Sequence, residues 1–396
     1  MPKILFINSV CYGSTGKICL DLYNLAMDNG FEACIAYGRG YCPKDYNTIK
    51  IGNKMNVYSH AFISRLLDNQ GFNSKLSTYQ LIKRIKEYNP DIIHMHNIHG
   101  YYVNIEVLFD YLKTSNVKVV WTLHDCWSFT GHCAHYLSNN CNKWINDCCY
   151  SCEYKNEYPS SLISQSQKNF LKKKDLFLSI KDKLTLVCVS DWLKQEVSKS
   201  FLSNVDTRII KSGINIDIFR RRESNLKKKL GLENKRMILG VSSVWNNKKG
   251  LNDFIELSRL LDDDYRIVLV GLTAKQIKNI PENIIGLPRT NTQIELAEIY
   301  SSCDIFFNPT KEESYGLTNV EAQACGATVV SYDSGGTSET LKSKNSYLVK
   351  DLNEFLDLLE RIDDIRDENM DYSIFDKDAL LNEYCILYKE LLKDDK

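Results

Sequence analysis

The chain has 396 residues, of which 50 are basic and 50 are acidic, so its net charge is zero. A single hydrophobic core usually stops growing near ~250–300 residues, so two domains are expected. The charge balance argues against nucleic acid as a partner, because no net field attracts a polyanion. No apolar run approaches the ~20 residues that span a bilayer. We therefore expect a cytoplasmic protein that works in solution or as a peripheral protein at the inner face of the membrane.

Short apolar runs alternate with longer amphipathic patterns along the whole chain. The first half predicts strands at Lys3–Asn8, Ala33–Tyr37, Ile92–His96, Val117–Leu123 and Leu184–Ser190, with helices at Lys17–Asn29 and Tyr79–Tyr88. The second half predicts strands at Met237–Ser242, Arg266–Gly271, Ile284–Leu287, Ile305–Asn308 and Thr328–Ser331, with helices at Leu251–Leu261, Ile294–Ser302 and Leu317–Ala324. Continuous apolar strands separated by helices are typical of parallel sheets covered on both faces. We predict an α/β fold of two doubly wound, Rossmann-like domains that face each other across a cleft.

The two series of strands divide the chain into predicted domains. Residues 1–204 form the N-terminal domain, with a cysteine-rich insertion at 126–160. Residues 205–371 form the C-terminal domain. Residues 372–396 are expected to form a helix that packs back toward the N-terminal domain. Ligands of open parallel sheets bind beyond the carboxyl ends of the strands, so functional residues should directly follow strands.

An acidic segment follows the predicted strand Ile305–Asn308 and leads into a helix near Gly316. The free backbone amides at this helix start, around Gly316, Leu317 and Thr318, would suit a diphosphate. Glu313 lies before the helix and Glu321 lies one turn inside it. Beside a phosphate, carboxylates suit neutral hydroxyls, which indicates sugar and ribose. The alternative is a capping carboxylate and a solvated helix glutamate.

Two further segments follow strands and could meet a phosphate. Lys248 and Lys249 follow Met237–Ser242 and would add positive charge at a helix start. The alternative is a solvated lysine pair. Ser14, Thr15 and Gly16 follow the first strand in a loop whose glycines permit close approach to a phosphate, and a plain β–α turn is the alternative.

Histidines follow the strands of the first half. Alternation puts His94 and His96 on one side of their strand, which favours a structural role for His94. His124 ends its strand at the predicted cleft, where a functional role is the better hypothesis.

These motifs resemble the retaining family-4 glycosyltransferases of the GT-B architecture, in particular bacterial members that assemble capsular and exopolysaccharides. The resemblance rests above all on Glu313 and Glu321 with seven residues between them, followed by Ala322-x-Ala324-Cys325-Gly326. It implies a hexosyltransferase whose donor is a UDP- or GDP-linked sugar and whose acceptor is a saccharide or an undecaprenyl-linked saccharide. The alternatives are a catalytically inactive nucleotide-sugar-binding subunit and a sugar-nucleotide epimerase of the same fold.

The resemblance also implies roles for individual residues. Glu321 would bond the ribose and Glu313 the donor sugar, Lys249 would neutralise the departing diphosphate, and His124 would contact the transferred sugar. Gly16 would let the first loop approach the donor. Family members need no metal for transfer. The family usually has an arginine shortly before the phosphate lysine; this chain has none there, and Lys248 is the candidate substitute.

Four cysteines of the insertion have spacings that could hold a structural zinc: Cys133, Cys141, Cys149 and Cys152. Sulfur ligands of this number suit a tetrahedral site, and a zinc would order a long loop that has few apolar residues. The alternatives are unliganded thiols and a pair of disulfides.

Overall fold

The computed structural model describes residues 1–148, 150–362 and 371–393. The chain forms two compact units, one of Met1–Lys211 with Leu381–Lys396 and the other of Ser212–Leu380. The division between Lys211 and Ser212 lies after the last strand of the first sheet.

The first unit is built on a seven-stranded sheet in the order β3-β2-β1-β4-β5-β6-β7, in which all neighbouring strands are parallel. Its strands are β1 (Lys3–Asn8), β2 (Glu32–Tyr37), β3 (Thr48–Lys50), β4 (Ile92–Met95), β5 (Lys118–Leu123), β6 (Leu184–Cys188) and β7 (Asp206–Ile209). Its helices are α1 (Gly13–Asp28), α2 (Lys54–Leu67), α3 (Lys75–Tyr88), α4 (Ile105–Thr114), α5 (Ser166–Leu178) and α6 (Asp191–Ser198). The order reverses at β1, which is the doubly wound arrangement.

The second unit is built on a six-stranded parallel sheet in the order β10-β9-β8-β11-β12-β13. Its strands are β8 (Arg236–Val241), β9 (Tyr265–Val270), β10 (Ile284–Leu287), β11 (Ile305–Asn308), β12 (Thr328–Tyr332) and β13 (Ser346–Val349). Its helices are α7 (Leu226–Leu230), α8 (Leu251–Leu260), α9 (Ala274–Ile277), α10 (Gln293–Ser302), α11 (Leu317–Ala324) and α12 (Leu352–Leu359). The order reverses at β8, so the second unit is doubly wound like the first.

The final helix, α13 (Lys377–Lys393), begins in the second unit and ends in the first. A 3₁₀ turn at Tyr372–Phe375 precedes it. The prediction of a single helix from Tyr372 onward is therefore wrong. The apolar side chains of its second half join the core around β1, and these are Leu381, Tyr384, Leu387 and Tyr388. The end of the chain is therefore part of the first unit's core.

Three short strands at sheet edges were absent from the sequence prediction, namely β3, β7 and β13. They lack the continuous apolar run of a central strand; β7, for example, alternates exposed Asp206 and Arg208 with half-buried neighbours. Helix α1 also begins at Gly13, four residues before the predicted start at Lys17.

Candidate functional site

A loop after β11 carries two glutamates, and each is paired with a lysine. Lys249 Nζ lies 2.6 Å from Glu313 Oε2 and also donates to Thr310 Oγ1 and to the Glu312 carbonyl oxygen, both at 3.3 Å. Lys248 Nζ lies 2.6 Å from Glu312 Oε2. The lysines come from a short 3₁₀ turn after β8, and β8 neighbours β11 in the sheet. The fold thus brings Lys248, Lys249 and Glu313 together at the carboxyl ends of two adjacent strands.

The start of helix α11 adds backbone donors to the same edge of the sheet. Gly316 precedes the helix with a φ of 100°, a conformation that glycine adopts without the steric cost of a side chain. Leu317 and Thr318 occupy the first turn, where backbone N–H groups have no partner within the helix. Such a helix start attracts anionic oxygens through these donors and through the helix dipole.

Glu321 is held from within the second unit. Its Oε2 accepts a hydrogen bond of 3.1 Å from the hydroxyl of Tyr300 on α10. Burial, and then the charge of Glu321, raise the pKa of Tyr300 well above its usual value, so the tyrosine keeps its proton. A buried bond from Asn319 Nδ2 to Thr340 Oγ1, at 3.0 Å, fixes the same helix. Glu321 is therefore an oriented carboxylate and not a freely solvated one.

Ser14, Thr15 and Gly16 belong to the first turn of α1, and the prediction of a loop there is wrong. A Cβ at Gly16 would lie 2.7 Å from the Cys11 carbonyl carbon, so only glycine lets the helix pack this closely against its entry segment. The first-turn amides of these residues lie beyond the carboxyl end of β1. Their predicted role in donor binding stays a prediction.

His124 follows β5 and contacts a second histidine. Its Nε2 lies 3.1 Å from His96 Nδ1. Burial lowers the pKa of His124 to about 4, although the neighbouring Asp125 acts in the opposite direction. Burial also lowers the pKa of His96 well below its usual value. Both imidazoles are therefore neutral near pH 7, and the ring N–H of one donates a hydrogen bond to the ring nitrogen of the other.

His94 has the structural role that its position in the strand predicts. Its Nδ1 lies 2.7 Å from the Tyr388 hydroxyl of α13, and its Nε2 lies 2.8 Å from Thr122 Oγ1. Thr122 Oγ1 is in turn 3.0 Å from the Tyr384 hydroxyl. Burial lowers the pKa of His94 to about 3. This neutral histidine thus links the sheet to the final helix by hydrogen bonds.

A further polar network lies beyond β4 and β5; the sequence shows that His99 and Asp125 follow these strands, but their contacts were not predicted. His99 Nε2 lies 2.9 Å from Asp125 Oδ2, and His99 Nδ1 lies 3.2 Å from the Tyr158 hydroxyl. Gln70 Nε2 donates to the same hydroxyl at 3.0 Å. Burial would raise the pKa of Asp125, but the charge and hydrogen bond of His99 outweigh it and hold that pKa below its usual range. Tyr158 comes from the cysteine-rich insertion, and this long-range contact has no local sequence signal.

The cysteine-rich insertion brings two of its predicted ligands together. Cys133 and Cys152 are both buried and share a side-chain hydrogen bond. Cys133, Cys141 and Cys152 form no disulfide. Cys149 lies outside the described residues. Within the part of the chain that the structure describes, no three His, Cys, Asp or Glu side chains are grouped to hold a metal ion. The zinc site therefore stays a prediction.

The paired doubly wound units place the chain in the GT-B class of α/β folds, as predicted. Sucrose-phosphate synthase from Thermosynechococcus elongatus has the same fold, with a TM-score of 0.68 and 14% identity over 100% of both chains. The Anabaena protein HepE, solved in complex with UDP and glucose, has a TM-score of 0.62 and 16% identity, covering 91% of this chain and 89% of its own.

The chain belongs to glycosyltransferase family 4, because the family model described as Glycosyltransferase Family 4 matches residues 16–218. The model described as Glycosyl transferases group 1 matches residues 222–379. The first of these matches covers most of the first unit and the second covers most of the second. The resemblance stated from the glutamate motif is confirmed.

Curated relatives include a protein named for colanic acid biosynthesis and a transferase named for an undecaprenol-linked acceptor. The putative colanic acid biosynthesis glycosyl transferase WcaC of Escherichia coli is 29% identical over 219 residues, 52% of each chain. The N,N'-diacetylbacillosaminyl-diphospho-undecaprenol alpha-1,3-N-acetylgalactosaminyltransferase of Campylobacter jejuni is 25% identical over 50% of this chain and 60% of its own. The matches thus span about half the length of these relatives. No described helix is long and apolar enough to cross a membrane.

Proposed function

We propose that the protein is a retaining hexosyltransferase of surface polysaccharide synthesis. It takes a sugar from a UDP- or GDP-linked donor and transfers it to a saccharide or an undecaprenyl-linked saccharide at the cytoplasmic face of the membrane. The observation that carries the proposal is the contact of Lys249 with Glu313 at 2.6 Å, beside the glycine-led start of α11. A cation and open backbone amides suit a diphosphate, and a neighbouring carboxylate suits sugar hydroxyls.

In this proposal the second unit holds the donor. The first-turn amides of α11 and the ammonium group of Lys249 bind the diphosphate, and Lys248 lies beside them in the same turn, paired with Glu312. Glu321, oriented by Tyr300, accepts hydrogen bonds from the ribose hydroxyls. Glu313 accepts a hydrogen bond from the donor sugar. Since ribose contacts are the same before and during the reaction, Glu321 contributes to binding, whereas Glu313 contributes mainly to the rate.

The proposed reaction is a front-face displacement. The bond from the anomeric carbon to the β-phosphate oxygen breaks, and the acceptor oxygen forms its bond on the same face. The acceptor proton passes to the departing phosphate, so the products are the glycoside and a nucleoside diphosphate. Lys249 and the helix start stabilise the charge that develops on the leaving group, which is where electrostatic catalysis has its largest effect. The neutral His124 offers an uncharged hydrogen bond to the transferred sugar.

Transfer in this proposal needs no metal ion, and the cysteines serve a structural purpose. Cys133, Cys141, Cys149 and Cys152 would hold one zinc that orders the insertion. The buried contact between Cys133 and Cys152 supplies two soft donors side by side, which suits zinc, and the sequence places Cys149 three residues before Cys152.

The proposal is tested with a panel of UDP- and GDP-sugars and purified membrane lipid or saccharide acceptors. We expect Glu321→Ala to weaken nucleotide binding by about 10- to 100-fold, the loss of a charged hydrogen bond. Glu313→Ala should lower kcat by about 10²–10³-fold with little change in nucleotide affinity. Glu298→Ala, an exposed glutamate on α10 of the same unit, is the control.

The alternatives give different results in the same assay. A binding subunit would retain nucleotide affinity but release no nucleoside diphosphate with any acceptor. An epimerase would convert the sugar without an acceptor. If Glu313→Ala and Glu321→Ala both keep wild-type kcat and KM, the assignment of the site is wrong.

A further inference from the structure

Helix α2 presents several large apolar side chains outward and two polar ones inward. Met55 is 74% exposed, Tyr58 is 68% exposed and Phe62 is 65% exposed, while His60 and Ser64 are buried on the inner side. A helix of a globular protein normally does the reverse, with its apolar stripe against the core. Packing within the first unit therefore does not explain why α2 is oriented in this way.

The orientation of α2 is fixed by specific bonds. Asn53 caps the helix in a reciprocal pair of hydrogen bonds with Asn56, both 3.0 Å long. On the inner side, His60 Nδ1 lies 2.8 Å from Ser74 Oγ, and the Gly71 backbone N–H donates to His60 Nε2 at 3.3 Å. Rotating α2 to bury Phe62 would break these contacts. The apolar face is therefore built to stay outward.

The exposed apolar face is a narrow stripe that continues past the helix. At 3.6 residues per turn, Met55, Tyr58, Phe62 and Leu66 fall within an arc of about 80°. The end of the helix is joined to another exposed apolar segment, because the Leu162 backbone N–H donates to the Arg65 carbonyl oxygen at 2.7 Å. Leu67 at the end of α2, and Leu162 and Ile163 in this segment, are exposed, and Leu76 and Tyr79 at the start of α3 are exposed as well. Patches of this kind mark interaction sites.

The segment of the chain that carries α2 and most of α3 is rich in basic residues, although the whole chain is neutral. Residues 48–86 contain one acidic residue and seven basic ones, namely Lys50, Lys54, Arg65, Lys75, Lys83, Arg84 and Lys86. The acidic residue, Asp68, is buried and bonded to His132 Nδ1 and to the Gln165 backbone N–H.

Some of these basic residues have partners and others do not. Arg84 contacts Glu87 at 3.3 Å, and Lys75 lies 3.9 Å from Glu106. Neither Lys54 nor Arg65 forms an ion pair with a carboxylate of the described residues. At 100° per residue, both flank the apolar stripe on the same side. Basic residues with exposed methylene stems beside an apolar stripe are typical of helices that lie in a membrane interface.

We propose that the outer face of α2, with the start of α3, docks the protein on an anionic lipid surface. The apolar stripe would enter the boundary between headgroups and acyl chains, and the basic residues would contact lipid phosphates. A second copy of the chain fits this face less well, because a two-fold contact would bring Lys54 and Arg65 of both copies into one interface. This inference rests on the proposed function, because an undecaprenyl-linked acceptor would lie in that lipid surface.

The test is flotation of the purified protein with vesicles of phosphatidylcholine, with and without phosphatidylglycerol. We expect binding only with phosphatidylglycerol, and weaker binding at about 0.5 M salt, where exposed charges are screened. The double variant Tyr58→Ser/Phe62→Ser should bind at least about tenfold more weakly, as expected for removing two large side chains from an apolar phase. The double variant Lys54→Glu/Arg65→Glu should lose the preference for phosphatidylglycerol.

Matched controls come from exposed residues of the second unit. Leu260→Ser removes an apolar side chain that is 55% exposed on α8, and Lys228→Glu reverses an exposed charge on α7. Both should bind vesicles as the wild type does. Thermal unfolding followed by circular dichroism establishes that the variants are folded. If Tyr58→Ser/Phe62→Ser has a clearly lower Tm than the wild type, the single variant Met55→Ser is used in its place.

Three results would overturn the docking surface. One is no binding of the wild type to phosphatidylglycerol vesicles, and another is equal loss in the control variants. The third is a dimer, measured by light scattering, that dissociates in Tyr58→Ser/Phe62→Ser. Release of nucleoside diphosphate is measured in parallel with a water-soluble acceptor. A protein that transfers sugar but does not float refutes the docking surface alone, and one that floats but does not transfer refutes the proposed function alone.

Discussion

Replacing Gly316 with alanine isolates the contribution of the helix start to donor binding. The residue has a φ of 100°, and a Cβ there would meet no atom closer than 3.5 Å. The substitution therefore adds no clash, and its cost comes from the backbone alone. A non-glycine residue in this left-handed region costs about 1–2 kcal/mol. For a unit of this size, that loss lowers Tm by about 2–8 °C.

The strained alanine can relax by moving the loop between Glu313 and α11 toward negative φ. Such a movement would turn the first-turn amides of Leu317 and Thr318 away from the diphosphate. The loss of one or two hydrogen bonds to a charged group is about 1.5–3 kcal/mol each, so we expect nucleoside diphosphate affinity to fall by at least about tenfold.

Gly231→Ala is the matched control for this experiment. Gly231 ends α7 in the same unit with a φ of 67°, and a Cβ there would meet nothing within 4 Å. An alanine at Gly231 also has to adopt a positive φ, so its cost is of the same kind, and Gly231 has no place in the proposed site. Thermal unfolding and titration calorimetry with UDP and GDP are measured for both variants. Similar losses of stability with a loss of affinity only in Gly316→Ala are expected. Equal nucleotide affinity in the two variants would refute the role of the helix start.

Three further predictions concern protons and metal ions. Burial lowers the pKa of His94 to about 3 while the unfolded value is near 6.5, so the unfolded chain binds the proton first and stability falls as pH drops from about 6.5 toward 3. Each pH unit within that window should cost about 1.4 kcal/mol for this histidine, and urea unfolding of wild type and His94→Gln should show a shallower pH slope in the variant. Elemental analysis of protein purified with reductant should find about one zinc per chain, and Cys152→Ser should lose it. Brief EDTA treatment should leave transfer intact, and a strict need for added Mg²⁺ or Mn²⁺ would contradict the metal-independent reaction.

The central strands of both sheets were predictable because their residues are apolar without interruption. β1, β10 and β11 have the predicted bounds, and the bounds of the other predicted strands differ by one or two residues. The edge strands β3, β7 and β13 were not predicted, since a strand with one neighbour needs no continuous apolar run, whereas the edge strand β10 was predicted because its segment is apolar. The start of α1 at Gly13 was missed because Tyr12, extended before the helix, provides no side-chain cap.

The site was predictable where its residues follow strands along the chain. Glu313, Glu321 and Lys249 each sit where the motif placed them, and β8 and β11 bring Lys249 to Glu313 because they are sheet neighbours. The contact between His99 and Tyr158 was not predictable, since 59 residues separate the two and the fold alone brings them together.

The two lysine–glutamate ion pairs of the second unit constrain how a sugar nucleotide would bind there. Lys248 and Lys249 are each matched by a glutamate, so the side chains of this loop alone offer a diphosphate little net positive charge. The start of α11 adds about half a unit of positive charge at this edge. Lys249 is partly exposed, and can turn from Glu313 toward a phosphate oxygen without desolvation of a buried pair. That exchange would leave a Glu313 oxygen open to a sugar hydroxyl, so diphosphate and sugar would be bound together. Glu312, only 3% exposed, holds Lys248 in place meanwhile and keeps the loop ordered.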